Sequence, residues 1–271
     1  MIFRNRVQGK SEEAIEFLRE NCMLVSKTLA LIAENLKPGV CGLDLDKLAE
    51  DFIRSHGKSV PGFKGLYGFP ATLCISPNEE VVHGIPNNQP FKEGDIISID
   101  CGVFNNGYYG DAAYTFAVHP LKPKVRKLLE VTRESLYLGI EMARPDKRTG
   151  DIGFAIQHYC ERVHNYSVVR ELVGHGLGQK LHEPPEIPNF GKKGKGVKLV
   201  ENLVIAIEPM VNLGRKEIGQ SPDGWTIITR DRLPSAHFEH SVVVRSDGAE
   251  LLSDHKIIEE SIKNNDFLAE I

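Results

Sequence analysis

Apolar residues recur at helical spacing near the start of the chain: Ile15, Leu18, Cys22, Val25, Leu29, Ile32 and Leu36. That spacing predicts a long amphipathic helix over residues 11–36. Ser11 is placed to cap it, Glu12 and Glu13 suit the positive end of its dipole, and Pro38-Gly39 ends it. Shorter helical patterns cover 44–56, closed by Gly57, then 123–143, and 150–164 behind a capping Thr149. Between them the period changes. Ile96, Ile97 and Ile99 lead into Asp100, and 109–118 is the return strand of a hairpin whose turn is Asn105-Asn106-Gly107. Residues 203–210 and 236–245 are rich in β-branched side chains and read as two more strands. The segments GDIISID and ENLVIAIE are both apolar strands ending in an acid, and each is followed by another strand with an acid, Asp111 and Glu239. That echo hints at a duplicated half-domain.

The composition fits a globular α/β (α+β) protein, with 41% hydrophobic and 26% charged residues. No linker-like stretch divides the chain, so residues 11–271 are expected to form one catalytic domain behind a short N-terminal extension, residues 1–10. A net charge of −4 gives no general footprint for nucleic acid or membrane. The five cysteines, Cys22, Cys41, Cys74, Cys101 and Cys160, match neither a zinc module nor a disulfide framework. Together with an N-terminus, MIFRNRVQGK, that lacks an apolar signal core, they predict a reducing, cytoplasmic location.

Candidate chemistry begins at the hairpin. Asp100 and Asp111 flank its turn almost symmetrically, which predicts that they face each other across two strands, about 5–8 Å apart. Asp is depleted in strands, and two like charges so placed raise one pKa unless a cation lies between them. The plain alternative is a pair of solvated acids at strand ends. Glu208 follows five apolar residues in LVIAIEP and is costly to bury unless paired or bound to metal; alternatively it faces solvent beyond the sheet. Glu239 in AHFEHSVVV is either a ligand or an exposed alternating position. The segment GHGLGQKLHE, residues 174–183, sets His175 and His182 among glycines that let backbone approach a ligand closely. His83, before Gly84-Ile85-Pro86, is either a third site histidine or a turn residue. Zincin, nucleophile-elbow and Walker motifs are absent.

These motifs together resemble the type I methionine aminopeptidases of bacteria. The likeness runs from KPGV at 37–40 and VPGFKG at 60–65 through CISPNEEVVHGIP at 74–86, the hairpin and GHGLGQKLHEPP. It continues through AIEPM and DGWTIITRDRLPSAHFEHSVVV. The resemblance implies a pita-bread fold, two pseudo-symmetric halves around a dinuclear metal site. It implies Asp100, Asp111, His175, Glu208 and Glu239 as metal ligands, with Asp111 and Glu239 shared by both ions. It also implies His83 and His182 as histidines facing the substrate, and Phe69, Cys74 and Trp225 as the wall of a methionine pocket. Phe63, Leu66 and Leu181 depart from the family pattern, where a smaller residue, a tyrosine and a phenylalanine are expected. They touch pocket shape and leave the ligands alone. A proline-specific peptidase of the same fold and a catalytically dead binding protein are the rival readings; the complete set of five ligands weighs against the second.

The implied reaction is removal of an N-terminal initiator methionine ahead of a small second residue. Four carboxylates and one imidazole suit Mn²⁺, Fe²⁺ or Co²⁺, with Zn²⁺ as an alternative. Glu208 is the expected proton carrier, His182 the donor to the developing oxyanion, and His83 a partner near the scissile nitrogen. Lys192, Lys193, Lys195 and Lys198 cluster with three glycines in an otherwise acidic chain. They are either a solvated flexible loop or a docking site for ribosomal RNA near the emerging nascent chain.

Overall fold

The computed structural model describes residues 7–271. The expected N-terminal extension falls partly outside them. At its described end, the Lys10 backbone N–H donates to the Asn202 carbonyl at 2.8 Å, and the Lys10 ammonium pairs with Glu183 at 2.7 Å.

The long helix is present as α1 (Glu12–Asn35), and Ser11 accepts from the Ala14 N–H at 3.2 Å as its cap. Its apolar stripe, from Ile15 to Leu36, is buried. Next come α2 (Gly42–Arg54), α3 (Pro123–Ile140) and α4 (Thr149–Gln157), the last running on into a wider π-helical turn, His158–Val163. Thr149 is the first residue of α4, not its cap. The N-terminal turn is closed instead by Asp151, which accepts from the Arg148 N–H at 2.9 Å. A final helix, α5 (His255–Lys263), was not expected; its apolar residues, Ile257, Ile258 and Ile262, are few and cover less than two turns.

The N-terminal half holds β1 (Leu73–Pro77), β2 (Ile96–Asn105) and β3 (Tyr108–Ala117), all antiparallel with β2 at the centre. The hairpin turn lies at Asn106-Gly107, and both residues have positive φ, as a tight Asn-Gly turn requires. The C-terminal half holds β4 (Gly174–Gly176), β5 (Glu183–Ile187), β6 (Val204–Ile207), β7 (Met210–Asn212), β8 (Ser235–His237), β9 (His240–Arg245) and β10 (Gly248–Leu251). Its larger sheet runs β10-β9-β6-β4-β5, while β7 and β8 pair with each other in a smaller one. Two strands expected to be continuous are therefore broken. The first breaks at Glu208-Pro209, between β6 and β7, because proline cannot donate to a ladder. The second breaks at Phe238-Glu239, between β8 and β9. The chain changes sheet at both acids.

Helix α1 packs on β2, β3 and α5, while α3 packs on α4 and β8. One buried apolar cluster joins the halves, with Leu29, Ile99 and Phe116 from the first and Leu136, Ile207 and Val242 from the second. No helix among the described residues is long and apolar enough to cross a membrane.

Candidate metal centre

The hairpin places its two aspartates on one face, but not directly opposite each other. Asp100 pairs with Ala113 and Asp111 with Gly102, so the acids are diagonal neighbours, offset by two residues. The near-symmetry about the turn was misleading because the turn residues are Asn106 and Gly107, one position later than the Asn105-Asn106 midpoint that symmetry requires. The diagonal still brings the two carboxylates to one site.

Glu208 and Glu239 come from the two strand breaks. The Glu208 main chain is fixed by buried Asn189, whose amide donates to its carbonyl at 3.0 Å. The Glu239 N–H donates to the Ala113 carbonyl at 2.9 Å, which ties this acid to the aspartate hairpin. His175 sits in β4 between two glycines that have no room for a side chain: a Cβ on Gly174 would strike the Ala206 carbonyl, and one on Gly176 would strike the Pro184 carbonyl. Its Nδ1–H donates to the Gly176 carbonyl at 3.0 Å, which leaves Nε2 bare. That nitrogen lies 3.6 Å from both Asp111 Oδ2 and Glu208 Oε1.

A cavity of about 320 Å³ opens over this cluster. All five acids and histidines singled out as ligands line it, and so do His83, His182, Phe69, Cys74 and Trp225. Phe69 meets Trp225 edge-on, with ring centroids 5.2 Å apart. The Trp225 backbone is held by Asp223, which accepts from its N–H at 2.8 Å. Phe63, Leu66 and Leu181 also line the wall. The bulk of Phe63 is accommodated because its ring lies against Gly102, where a Cβ would clash. His182 stands edge-on to His175, with centroids 4.5 Å apart, and its outer face stacks on exposed Tyr67 at 5.8 Å.

Like charges gathered in a partly buried site are costly. Burial raises the Asp100 carboxyl to about 7, with Glu208 adding to the shift, and burial alone raises Glu208 to about 8. Burial, then the neighbouring acids, raises Asp111 and Glu239 well above the carboxylate range. Burial lowers His175 and His83 to about 4, so both are neutral at physiological pH. Among the described residues, Asp100 Oδ1, Asp111 Oδ1 and Glu239 Oε1 are buried without a hydrogen-bond partner, and no lysine or arginine lines the cavity. Donor atoms of Asp111, His175 and Glu239 lie within 4.8 Å of one another. Acids gathered and buried without a counter-cation fit divalent metal, which supplies the missing charge and satisfies the orphaned oxygens.

Residues that the sequence did not single out also line the cavity, among them Tyr67, Val82, Leu172 and Met210. Tyr67 adopts φ 51° between Gly65 and Gly68, which also have positive φ; the two glycines were the available signal. His237, two residues before Glu239 and flanked by Ala236 and Phe238, carries no motif that marks it in the sequence. The lysine cluster is exposed, but its backbone is anchored to the start of α4. The Gly150 N–H donates to the Lys195 carbonyl at 3.0 Å, the Gly194 N–H to Asp151 at 2.8 Å, and the Lys193 ammonium lies 4.7 Å from the Phe154 ring centroid.

Comparison with known proteins agrees with this geometry. Residues 16–246 match the metallopeptidase family M24. The methionine aminopeptidase of Clostridium perfringens is 48% identical over 244 residues, 90% of this chain and 97% of that one. Methionine aminopeptidase 1 of Bacillus subtilis is 45% identical over 244 residues, 90% of this chain and 98% of that one. The crystal structure of methionine aminopeptidase from Rickettsia prowazekii superposes with a TM-score of 0.89 at 40% identity, covering 92% of this chain and all of that one. The two halves closing on a buried acid cluster are thus the expected pita-bread fold. The chain belongs to metallopeptidase family M24, and within it to the methionine aminopeptidases.

Proposed function

We propose that this chain removes the N-terminal initiator methionine from peptides and nascent proteins with a small second residue, using two divalent ions. The observation that carries the reading is the convergence of four acids, Asp111 and Glu239 buried and Asp100 and Glu208 partly buried, and a bare imidazole nitrogen beneath an apolar pocket. Asp100, Asp111, His175, Glu208 and Glu239 are the ligands, with Asp111 and Glu239 central. Their oxygen-rich donor set suits Mn²⁺, Fe²⁺ or Co²⁺, with Zn²⁺ as an alternative. When bound, such ions acidify a water and polarise the scissile carbonyl.

The chain's own residues do the rest. Phe69, Cys74 and Trp225 receive the methionine side chain and exclude water from it. Glu208 takes a proton from the attacking water and returns it to the leaving amide nitrogen. His182 donates to the oxygen that gains charge in the transition state, and His83 hydrogen-bonds near the scissile nitrogen. Burial keeps both histidines neutral, so each offers one N–H without adding repulsion to the ions. In this reading the bound ions and the GHGLGQKLHE segment leave little room for the second residue of the substrate.

Residues 11–271 act as one catalytic unit in this reading, working in the cytoplasm where nascent chains emerge. Lys192, Lys193, Lys195 and Lys198 form a docking surface for ribosomal RNA, supported by their exposure and by a fixed backbone that presents them together.

Substrate selection tests the function. Peptides beginning Met-Gly and Met-Ala should be cleaved, and those beginning Met-Leu and Met-Lys refused, because steric exclusion discriminates strongly. Equal rates on Met-Gly and Met-Leu would make the chain a general aminopeptidase.

A further inference from the structure

His237 is 1% exposed at the end of β8, and neither ring nitrogen has a hydrogen-bond partner among the described residues. It does not line the cavity, so it is not in position to touch a substrate. A buried imidazole with nothing to bond is unusual unless it serves a neighbouring group. Its Nε2 lies 3.5 Å from Glu208 Oε2, while the other Glu208 oxygen, Oε1, lies 3.6 Å from His175 Nε2. The two ends of one carboxylate thus face two different imidazoles.

We propose that His237 is a positioning residue for Glu208: its ring offers Nε2–H to Oε2 and keeps Oε1 turned toward His175 and the ion site. The inference rests on the reading of Glu208 as an ion ligand and proton carrier. Among the described residues no hydrogen bond holds the Glu208 carboxylate, although its main chain is pinned by Asn189. A ligand whose backbone is fixed but whose carboxylate is free to rotate needs an outer partner to set its orientation.

The aim of His237 is itself fixed with unusual care. The Thr115 hydroxyl donates to the His237 carbonyl at 2.6 Å and accepts from the His237 N–H at 2.9 Å. Ser98 lies 2.9 Å from the same hydroxyl. Ser98 stands two residues before Asp100 on β2, and Thr115 stands four residues after Asp111 on β3. The hairpin that carries two of the acids therefore also clamps the histidine that faces a third. Opposite, His237 pairs with Met210 on β7, just beyond the break that carries Glu208. A carboxylate beside Nε2 selects the tautomer with its proton there.

Three variants separate this role from simple packing. His237→Gln keeps an N–H donor at the reach of Nε2, His237→Asn draws the donor back to the reach of Nδ1, and His237→Leu fills the space with none. Each full-length protein is stripped with chelator and titrated with Mn²⁺ in a calorimeter. kcat and KM are then measured on a Met-Gly peptide at saturating Mn²⁺. In the Leu and Asn variants, Mn²⁺ affinity and kcat should fall about 10–100-fold, with KM within about threefold of wild type. The Gln variant should stay within about fivefold of wild type in both. Leu and Asn variants that bind and turn over like wild type, or a Gln variant as impaired as they are, would overturn the proposal. If the Leu variant fails to fold, the contrast between Gln and Asn decides alone. Wild type that binds no Mn²⁺ would strike the ion-site reading instead, so the two failures are distinguishable.

Discussion

The hydroxyl of Ser241 donates to the main-chain carbonyl of Asp111 at 2.7 Å, and both residues are buried. Ser241 lies two residues after Glu239 on β9, and Asp111 lies on β3. With the Glu239 N–H on the Ala113 carbonyl, this bond stitches the two halves together at the acids they share. The fold thus spends hydrogen bonds where its like charges repel.

Replacing Ser241 with alanine leaves that carbonyl without its partner in a dry interface. The cost is about 1–3 kcal/mol of stability. Urea unfolding of the metal-loaded protein should show a lowered midpoint with an unchanged slope. A midpoint equal to wild type would mean that the bond carries no net stabilisation.

Much of this arrangement is legible in the sequence, because strong periodicity and side-chain chemistry are local signals. The stripe of α1, the 96–117 hairpin and the acids at the ends of apolar runs need no distant information. What escaped depends on distant contacts. The register that offsets Asp100 from Asp111 is set by which two residues form the turn. The strand breaks at Glu208 and Glu239 arise because neighbouring segments leave one sheet for another, although Pro209 marked the first. The α5 helix has too short an apolar stripe to stand out. His237 becomes meaningful only once Glu208, 29 positions earlier, is beside it.

His83 and His182 lie outside the proposed ligand set. Alanine at either position should retain stoichiometric metal while turnover falls about 10²–10³-fold, the usual loss for one transition-state donor. Elemental analysis beside steady-state kinetics checks both halves of this expectation. Loss of metal from either variant would move that histidine into the ion shell.

Stripped of metal, the protein should become less stable as pH rises from 7 to 8. Burial holds Asp100 at about 7 and Glu208 at about 8, and holds Asp111 and Glu239 well above the ordinary range. Unfolded carboxyls titrate near 4. A folded pKa above the unfolded one stabilises at low pH, and that contribution is lost as pH rises through the folded value. Buried His83, His175 and His255 work in the opposite direction, losing stability as pH falls below about 6.5. The buried thiols of Cys22, Cys74, Cys101 and Cys160 are also raised by burial and lose stability once unfolded thiols ionise above about 8.5. The window from pH 7 to 8 therefore isolates the acids. Thermal melts of stripped wild type should decline across it, while stripped Glu208→Ala, with one acid fewer, should decline less. Identical slopes would mean that the acids do not repel one another in the folded chain.

The lysine surface makes a separate prediction. Co-sedimentation with ribosomes should weaken steeply with salt, with a slope of about −0.7 to −0.9 per phosphate neutralised. A quadruple Lys→Ala variant at 192, 193, 195 and 198 should pellet less and show a shallower slope, with peptide cleavage unchanged. Equal pelleting of both proteins at every salt concentration would exclude this surface as the docking site.

Methionine release from a Met-Gly peptide, measured as stoichiometric Mn²⁺ is returned to fully stripped protein, tests the central claim most directly. The account predicts no release from the stripped protein, recovery as Mn²⁺ fills the site, and no recovery in Glu208→Ala at any Mn²⁺ concentration. Release that persists without metal, or activity within about tenfold of wild type in Glu208→Ala, would contradict it.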